Sequence, residues 1–395
     1  MHKIKLIATS TFGLEAVVKR ELQDLGFKGL TVADGKIEFE AAFEDIPRLN
    51  INLRAADRVL VKVGEFPATD FGQLFDRTKE LAWEEWIPRD AKITVIGKCV
   101  RSVLASVRSS QSIAHKAVIE RLKSKYQIEW LPETGPEFTI QVAILKDVAQ
   151  LTLDTSGPGL HKRGYRMQHG DVPLRENLAA ALVLLTSWNK DKLLIDPMCG
   201  SGTIVIEAAM IARRIAPGLI REFASEKWPA VEKKFWDEAR KAAREAILPE
   251  GSLKIFGYDI DPERIKDSQA NAKKAGVGKD IVFEHKDIKD LWINQPHGTV
   301  ISNPPYGIKM GSLKELTPLY VTIHHMFKNK LGWSLYILTG DDRFPDFFKR
   351  ARPDKVRKLF NGTIEVNYYQ YYGEKPGRSE ETSVVPPEIV KGDAL

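Results

Sequence analysis

Cysteine is almost absent: there are two in 395 residues, Cys99 and Cys199, far apart in the chain. That excludes a disulfide framework and a cysteine-based zinc site. Long apolar runs are missing too. No stretch of about 18 apolar residues occurs, so no membrane span is expected. The start, Met1-His2-Lys3-Ile4-Lys5, is too broken by charge to read as a secretory leader. The eight histidines fall into no ligand spacing, and no metal is expected. No internal repeat is apparent. Charge of a single sign is also scarce, since 59 Lys and Arg against 53 Asp and Glu leave only +6. A hydrophobic share of 43% is ordinary for a globular chain, and the length suggests two or three domains. A cytoplasmic placement fits these absences.

A third glycine is what the back half lacks. Leu193-Leu194-Ile195 reads as a buried strand leading into Asp196-Pro197-Met198-Cys199-Gly200-Ser201-Gly202-Thr203. Ile204 to Ile211 then reads as a buried helix. Strand, glycine turn and helix form a nucleotide-binding βα unit. Gly200 and Gly202 let backbone approach a ligand with no Cβ in the way. Val205 stands where the dinucleotide fingerprint needs its last glycine. That departure favours a ligand without a pyrophosphate, and S-adenosylmethionine is one. Asp196 can take its ammonium group directly or through water. Pro197 and Cys199 belong to the same turn, with Cys199 a small packing residue rather than a nucleophile. A plain strand-to-helix turn is the alternative.

Two more acidic strand ends follow. Lys254-Ile255-Phe256-Gly257-Tyr258 ends at Asp259, where a carboxylate can grip both ribose hydroxyls. Ile260 adjoins it. Asp261 reads as the N-cap of a helix with Pro262 at its first position, stopped at Gly276. Ile281-Val282-Phe283-Glu284 is a third strand. Asp287 lies just past it, placed to accept an adenine amino group, with Ile288 alongside; alone, it would read as a surface acid. Asp259 lies well beyond the usual distance of about 20 residues after the glycine loop. The excess, Pro217 to Gly251, reads as an inserted helical excursion, either a packing appendage or a substrate contact.

Thr299-Val300-Ile301-Ser302 is the fourth strand, and Asn303-Pro304-Pro305-Tyr306 ends it. Two prolines cannot extend a strand, so the chain turns out at its tip. The Asn303 side-chain oxygen and the Pro304 carbonyl can each accept one proton of a planar amine, leaving the nitrogen lone pair free. Tyr306 can stack on the ring carrying that amine. These four residues resemble the motif of amino methyltransferases. In order with the glycine loop, Asp259 and Asp287, they make roughly residues 165–375 similar to the class I, Rossmann-like, S-adenosylmethionine-dependent methyltransferases.

The front half lacks glycine loops and acidic strand ends. Ile4–Ala8 reads as a strand and Leu14–Leu25 as a helix. Thr31-Val32 and Ile37–Phe39 form a hairpin around Asp34-Gly35. Helical turns follow at 46–54 and 71–83. Then come a strand at Lys92–Ile96, a helix at Ser110–Leu122, and strands at Phe138–Val142 and Val148–Leu153. The class is α+β. Seven of the chain's basic residues, among them Lys98, Arg101 and Arg108, fall between Lys98 and Lys125 against one acid, Glu120. His161-Lys162-Arg163-Gly164-Tyr165-Arg166 is a second basic cluster. Both suit a phosphate backbone, with a solvated face as the alternative.

Gly97 through Leu122 and the two strands after it look like a THUMP domain, an RNA-binding module. Asp154-Thr155-Ser156-Gly157 into Leu160–Arg166 resembles the junction of the THUMP-containing large-subunit ribosomal RNA guanine-N2 methyltransferases. The resemblance implies an N-terminal ferredoxin-like α+β part (1–60), a THUMP-like RNA-binding domain (61–160), a methyltransferase domain (161–375) and a polar tail (376–395). It implies methylation of guanine N2 in ribosomal RNA, before or during subunit assembly. In the family, Val172-Pro173-Leu174-Arg175-Glu176-Asn177 opens a helix that borders the cofactor. Transfer RNA, adenine N6 in DNA, a protein glutamine, and a non-catalytic assembly role remain the other readings. Oligomeric state is left open.

Overall fold

The computed structural model describes residues 3–166, 174–251, 253–305, 313–348 and 352–374. The chain forms two compact units. One comprises Met1–Gly164 with Ile215–Ile247, the other Tyr165–Arg214 with Leu248–Leu395.

The first unit is built on a seven-stranded sheet. Its strands are β1 (Ile4–Ser10), β2 (Thr31–Ala33), β3 (Lys36–Ala41), β4 (Ala56–Pro67), β5 (Lys92–Val100), β6 (Glu137–Leu145) and β7 (Val148–Asp154). Their order is β2-β3-β1-β4-β7-β6-β5. β5 pairs parallel with β6, and the other pairs are antiparallel. Helices α1 (Glu15–Asp24), α2 (Asp45–Asn52), α3 (Phe71–Glu80) and α4 (Val107–Tyr126) accompany it. Alternation dictates the core. Phe138, Ile140, Val142 and Ile144 of β6 are all buried, with more exposed residues between them. β4, the longest strand, has no counterpart among the sequence expectations. A register shift between Lys62 and Gly64 breaks its alternation, and a Cβ on Gly64 would lie 2.7 Å from Leu81.

Most of the excursion, residues 217–247, belongs to this first unit. Trp228 stacks on Phe138 with ring centroids 4.5 Å apart. Ser225 donates through N–H and Oγ to the Thr155 carbonyl, at 3.1 and 2.8 Å. Helix α7 (Lys233–Glu245) packs against α2. Its Trp236 stacks on Phe223, and its Arg240 pairs with Glu226 at 2.6 Å. These residues stay together because large aromatic rings distant in sequence bury one another.

The second unit is a doubly wound sheet. In sequence order its elements are α5 (Glu176–Leu184), β8 (Leu194–Asp196), α6 (Thr203–Ala212), β9 (Ile255–Asp259), α8 (Pro262–Lys274), β10 (Val282–His285), β11 (Gly298–Ser302), α9 (Leu313–Phe327), β12 (Trp333–Thr339), α10 (Phe344–Phe347), β13 (Lys355–Asn361) and β14 (Ile364–Tyr371). The strand order is β10-β9-β8-β11-β12-β14-β13, with the first five parallel and β14 antiparallel to both neighbours. This is a Rossmann-like sheet. Order reverses beside β8, which makes the crevice at the carboxyl ends of β8 and β11 the natural ligand site. Asp261 caps α8 as its sequence predicts, accepting from the Glu263 N–H at 2.9 Å with Pro262 at the first position. Among the described residues no helix is long and apolar enough to cross a membrane.

Candidate active site

Parallel strands deliver their carboxyl ends to one edge of the sheet. Along it stand Asp287 just past β10, Asp259 at β9, Asp196 at β8 and Asn303 at β11, in that lateral order. The four motif positions lie far apart in sequence and become a row on one lip.

The glycine loop is held by its neighbours. Cys199 N–H donates to the Tyr258 carbonyl at 2.8 Å, and Gly202 N–H to the Cys199 carbonyl at 2.8 Å. Asn271 Nδ2 donates to the Ser201 carbonyl at 3.1 Å. Gly200 and Gly202 adopt φ of +54° and +81°, the left-handed region where a side chain is strained. They differ in surroundings. A Cβ at Gly202 would lie 2.9 Å from Ser268, whereas one at Gly200 would meet nothing within 4 Å. Gly202 packs α6 against α8, and Gly200 faces open space that a ligand can enter.

Asp259 is tied to this loop. Its Oδ2 accepts from the Gly200 N–H at 2.8 Å and its Oδ1 from the Asp261 N–H at 3.0 Å. Each oxygen keeps a lone pair for a hydroxyl donor. Ile260, next to it, is exposed and apolar, while Pro197 is buried beneath the loop. Asp287 is half-buried; its Oδ1 accepts from the Lys289 N–H at 3.0 Å and caps a short 3₁₀ turn, and Ile288 is buried behind it. The Cys199 thiol is buried, and burial pushes its pKa well up, so it is no nucleophile near neutral pH.

Asp196 is 1% exposed. Its Oδ1 accepts from the Met198 N–H at 3.2 Å and from Ser302 Oγ at 2.7 Å. Burial, opposed by these two donors, pushes its pKa up to about 7. Ser302 was not among the sequence-derived candidates; a serine closing an apolar strand just before Asn303 was the only available signal. Asn303 is half-buried, and its Oδ1 is fully buried with no hydrogen-bond partner among the described residues. Pro304 is buried and Pro305 half-buried. Tyr306, Val172 and Pro173 lie outside the described residues, as does the expected tail 376–395. Arg166 donates to Glu176 at 2.9 Å, the Leu174 carbonyl at 2.8 Å and Thr203 at 3.0 Å, which fixes the start of α5 against the start of α6.

The expected RNA contacts divide. Lys98, Arg101, Arg108 and Lys162 are exposed. Arg163 is a correction: it is 1% exposed and donates to the backbone carbonyls of Leu160 and Arg54. A buried guanidinium already satisfied by carbonyls cannot reach a phosphate. Arg121, in the first basic cluster, is likewise taken up by Glu84, at 2.9 and 2.6 Å.

Comparison with known proteins bears on this site. Residues 163–370 match the family model described as RMKL-like, methyltransferase domain. Residues 5–60 match the RlmL ferredoxin-like domain and residues 68–154 the THUMP domain. The chain is 44% identical over 96% of its length to the Bacillus subtilis protein named "Putative RNA methyltransferase YpsC", covering 99% of that protein. It is 33% identical over 93% of its length to "Ribosomal RNA large subunit methyltransferase K/L" of Syntrophotalea carbinolica, and spans 53% of that longer protein. Among solved structures it resembles SMU.472, described as "a putative methyltransferase complexed with SAH". There the TM-score is 0.90 at 39% identity, over 95% of this chain and 100% of the other.

Proposed function

The chain belongs to the RMKL-like methyltransferase family, and on that premise we propose that it methylates N2 of a guanine in large-subunit ribosomal RNA. Methyl transfer to RNA, dependent on S-adenosylmethionine, comes with the family. The guanine, its N2 atom and the ribosomal source are the proposal. One observation above others supports an amine as the acceptor of the methyl group: the buried Asn303 Oδ1, which has no donor among the described residues. An unpaired buried carbonyl oxygen costs about 1–3 kcal/mol, and an incoming N–H removes that cost.

The residues present fit the cofactor. Gly200 opens onto free space, Asp259 retains acceptor capacity, and Asp196 offers a carboxylate oxygen that bears no donor among the described residues. Asp196, Pro197, Cys199, Gly200 and Gly202 would surround its amino-acid end, Asp259 and Ile260 its ribose, and Asp287 and Ile288 its adenine. When bound, the cofactor supplies an electrophilic methyl group on a sulfonium.

Asn303 Oδ1 and the Pro304 carbonyl accept the two N–H bonds of the target amine. As the nitrogen becomes pyramidal these bonds strengthen, which is stabilisation specific to the transition state. No strong base is needed, because the amine's proton becomes acidic only as the new bond forms. Most of the acceleration comes from holding the amine in line. Tyr306 follows in sequence as the stacking surface for the flipped base. Lys98, Arg101, Arg108 and Lys162 hold the RNA backbone. On this reading the chain works in the cytoplasm.

The test is nucleoside analysis. Large-subunit RNA from a deletion strain and, in a parallel reaction, genomic DNA are incubated with the protein and labelled cofactor, digested and separated. Label in N2-methylguanosine supports the reading; label in N6-methyladenosine, or in DNA alone, overturns it.

A further inference from the structure

We propose that Ser302 is a positioning residue that sets the charge of Asp196, so that binding of the cofactor's ammonium group there releases a proton to solvent. The inference rests on the reading above that Asp196 borders the cofactor.

The geometry is direct. β8 and β11 pair with Thr299 opposite Leu194 and Val300 opposite Ile195, so Asp196 is level with Ile301 and Ser302 is the next residue out. Ser302 Oγ donates to Asp196 Oδ1 at 2.7 Å, and the Met198 N–H donates to the same oxygen at 3.2 Å. Ser302 is 0% and Asp196 1% exposed. No lysine, arginine or histidine pairs with Asp196 among the described residues.

A buried carboxylate without a cation favours its neutral form. The groups that face it strengthen that preference. Asp259, from β9, repels a negative charge. Cys199, from the loop, contributes a neutral thiol near pH 7 because its own pKa is raised. β11 presents the Ser302 hydroxyl, the one side-chain donor that favours the carboxylate; no charged group of α6 acts on Asp196 among the described residues. The outcome of this opposition is a titration near pH 7.

An ammonium ion pairs with the carboxylate and not with the acid. Where Asp196 is protonated, binding breaks its O–H bond and the proton passes to water. A neutral acid and one cation become an ion pair and one free proton, so charge balances. Ser302 sets the pH at which this happens. Without its donor the acid form persists to higher pH, and the ammonium is taken up later.

The experiment is calorimetry of S-adenosylhomocysteine binding to the full chain, from pH about 6 to about 9, in phosphate and in Tris. The expected wild-type result is affinity that weakens below pH 7 by up to about tenfold per pH unit, with different binding enthalpies in the two buffers near pH 7. Ser302→Ala should move the midpoint up by about one pH unit while leaving affinity near pH 9 within about threefold, and Ser302→Thr should restore the wild-type midpoint. Flat wild-type affinity with equal enthalpies overturns the inference and leaves the cofactor reading standing. A Ser302→Ala loss that is equal at every pH also overturns it, as a purely structural effect. Absence of binding by folded wild-type protein at every pH defeats the cofactor reading and this inference together.

Discussion

Ser302 and Asp196 are joined by a 2.7 Å hydrogen bond across two adjacent strands, 106 residues apart in sequence. One precedes the residue proposed to hold the amine; the other opens the glycine loop. The bond ties the two halves of the site into one rigid lip. Burial, which this bond offsets only in part, makes Asp196 a source of pH-dependent stability. In the unfolded chain its carboxyl titrates near 3.8 and in the folded chain near 7. Between those values the folded state binds a proton that the unfolded state has lost, so stability falls as pH rises through the window and stays at the lower level above it. Asp196→Asn should therefore gain thermal stability relative to wild type from pH about 4 to about 7 and show a constant difference beyond. Unfolding followed by circular dichroism at matched pH checks this; a difference that does not vary with pH contradicts it.

Asp259 carries the Gly200 N–H on one oxygen and the Asp261 N–H on the other. Its removal would take away the proposed ribose partner and release the Gly200 N–H as well. Asp259→Ala should weaken S-adenosylhomocysteine binding by about tenfold or more, since a hydrogen bond to a charged group is worth about 1.5–3 kcal/mol. An unchanged dissociation constant removes Asp259 from the site.

The basic clusters separate into surface and interior. Charge reversal at Lys98, Arg101 and Arg108 should weaken RNA binding and lower the slope of its salt dependence by about one per lost phosphate contact, with the melting temperature nearly unchanged. Arg163→Ala should do the opposite. It removes a buried guanidinium that donates to two backbone carbonyls and empties the volume it fills, so stability should fall by about 2–4 kcal/mol with little effect on the salt slope. Filter binding at several salt concentrations beside urea unfolding distinguishes the two.

Trp228, stacked on Phe138 and fully buried, anchors the excursion to the first unit. Trp228→Ala should destabilise that unit by about 3–5 kcal/mol. Hydrogen exchange should then show faster exchange around 225–245 and along β6. Protection as in wild type would mean that the excursion is held by other contacts.

The second unit was legible because each candidate group ends a strand, and a short apolar run followed by Asp or by Asn-Pro-Pro marks that place in one sequence. The description of Asp261 as a cap follows from local rules and matches the structure, whereas Gly202, read beside Gly200 as room for a ligand, is instead packed against Ser268. Tertiary facts were not legible. Exposure separates Arg163 from Lys162 although they are neighbours. The partner of Trp228 lies 90 positions earlier, and no local pattern points to it. β4 was hidden by its bulge at Gly64. Ser302 was visible as a residue, but its bond to Asp196 depends on the pairing of β8 with β11.

Asn303 Oδ1, unpaired among the described residues, is where the account is most exposed to test. Asn303→Ala should bind S-adenosylhomocysteine within about threefold of wild type and transfer methyl to RNA at least about 100-fold more slowly, because it loses an interaction made in the transition state. Both quantities are measured on one preparation, by calorimetry and by tritium transfer. Turnover at the wild-type rate with that oxygen gone would contradict the assignment of the amine to Asn303.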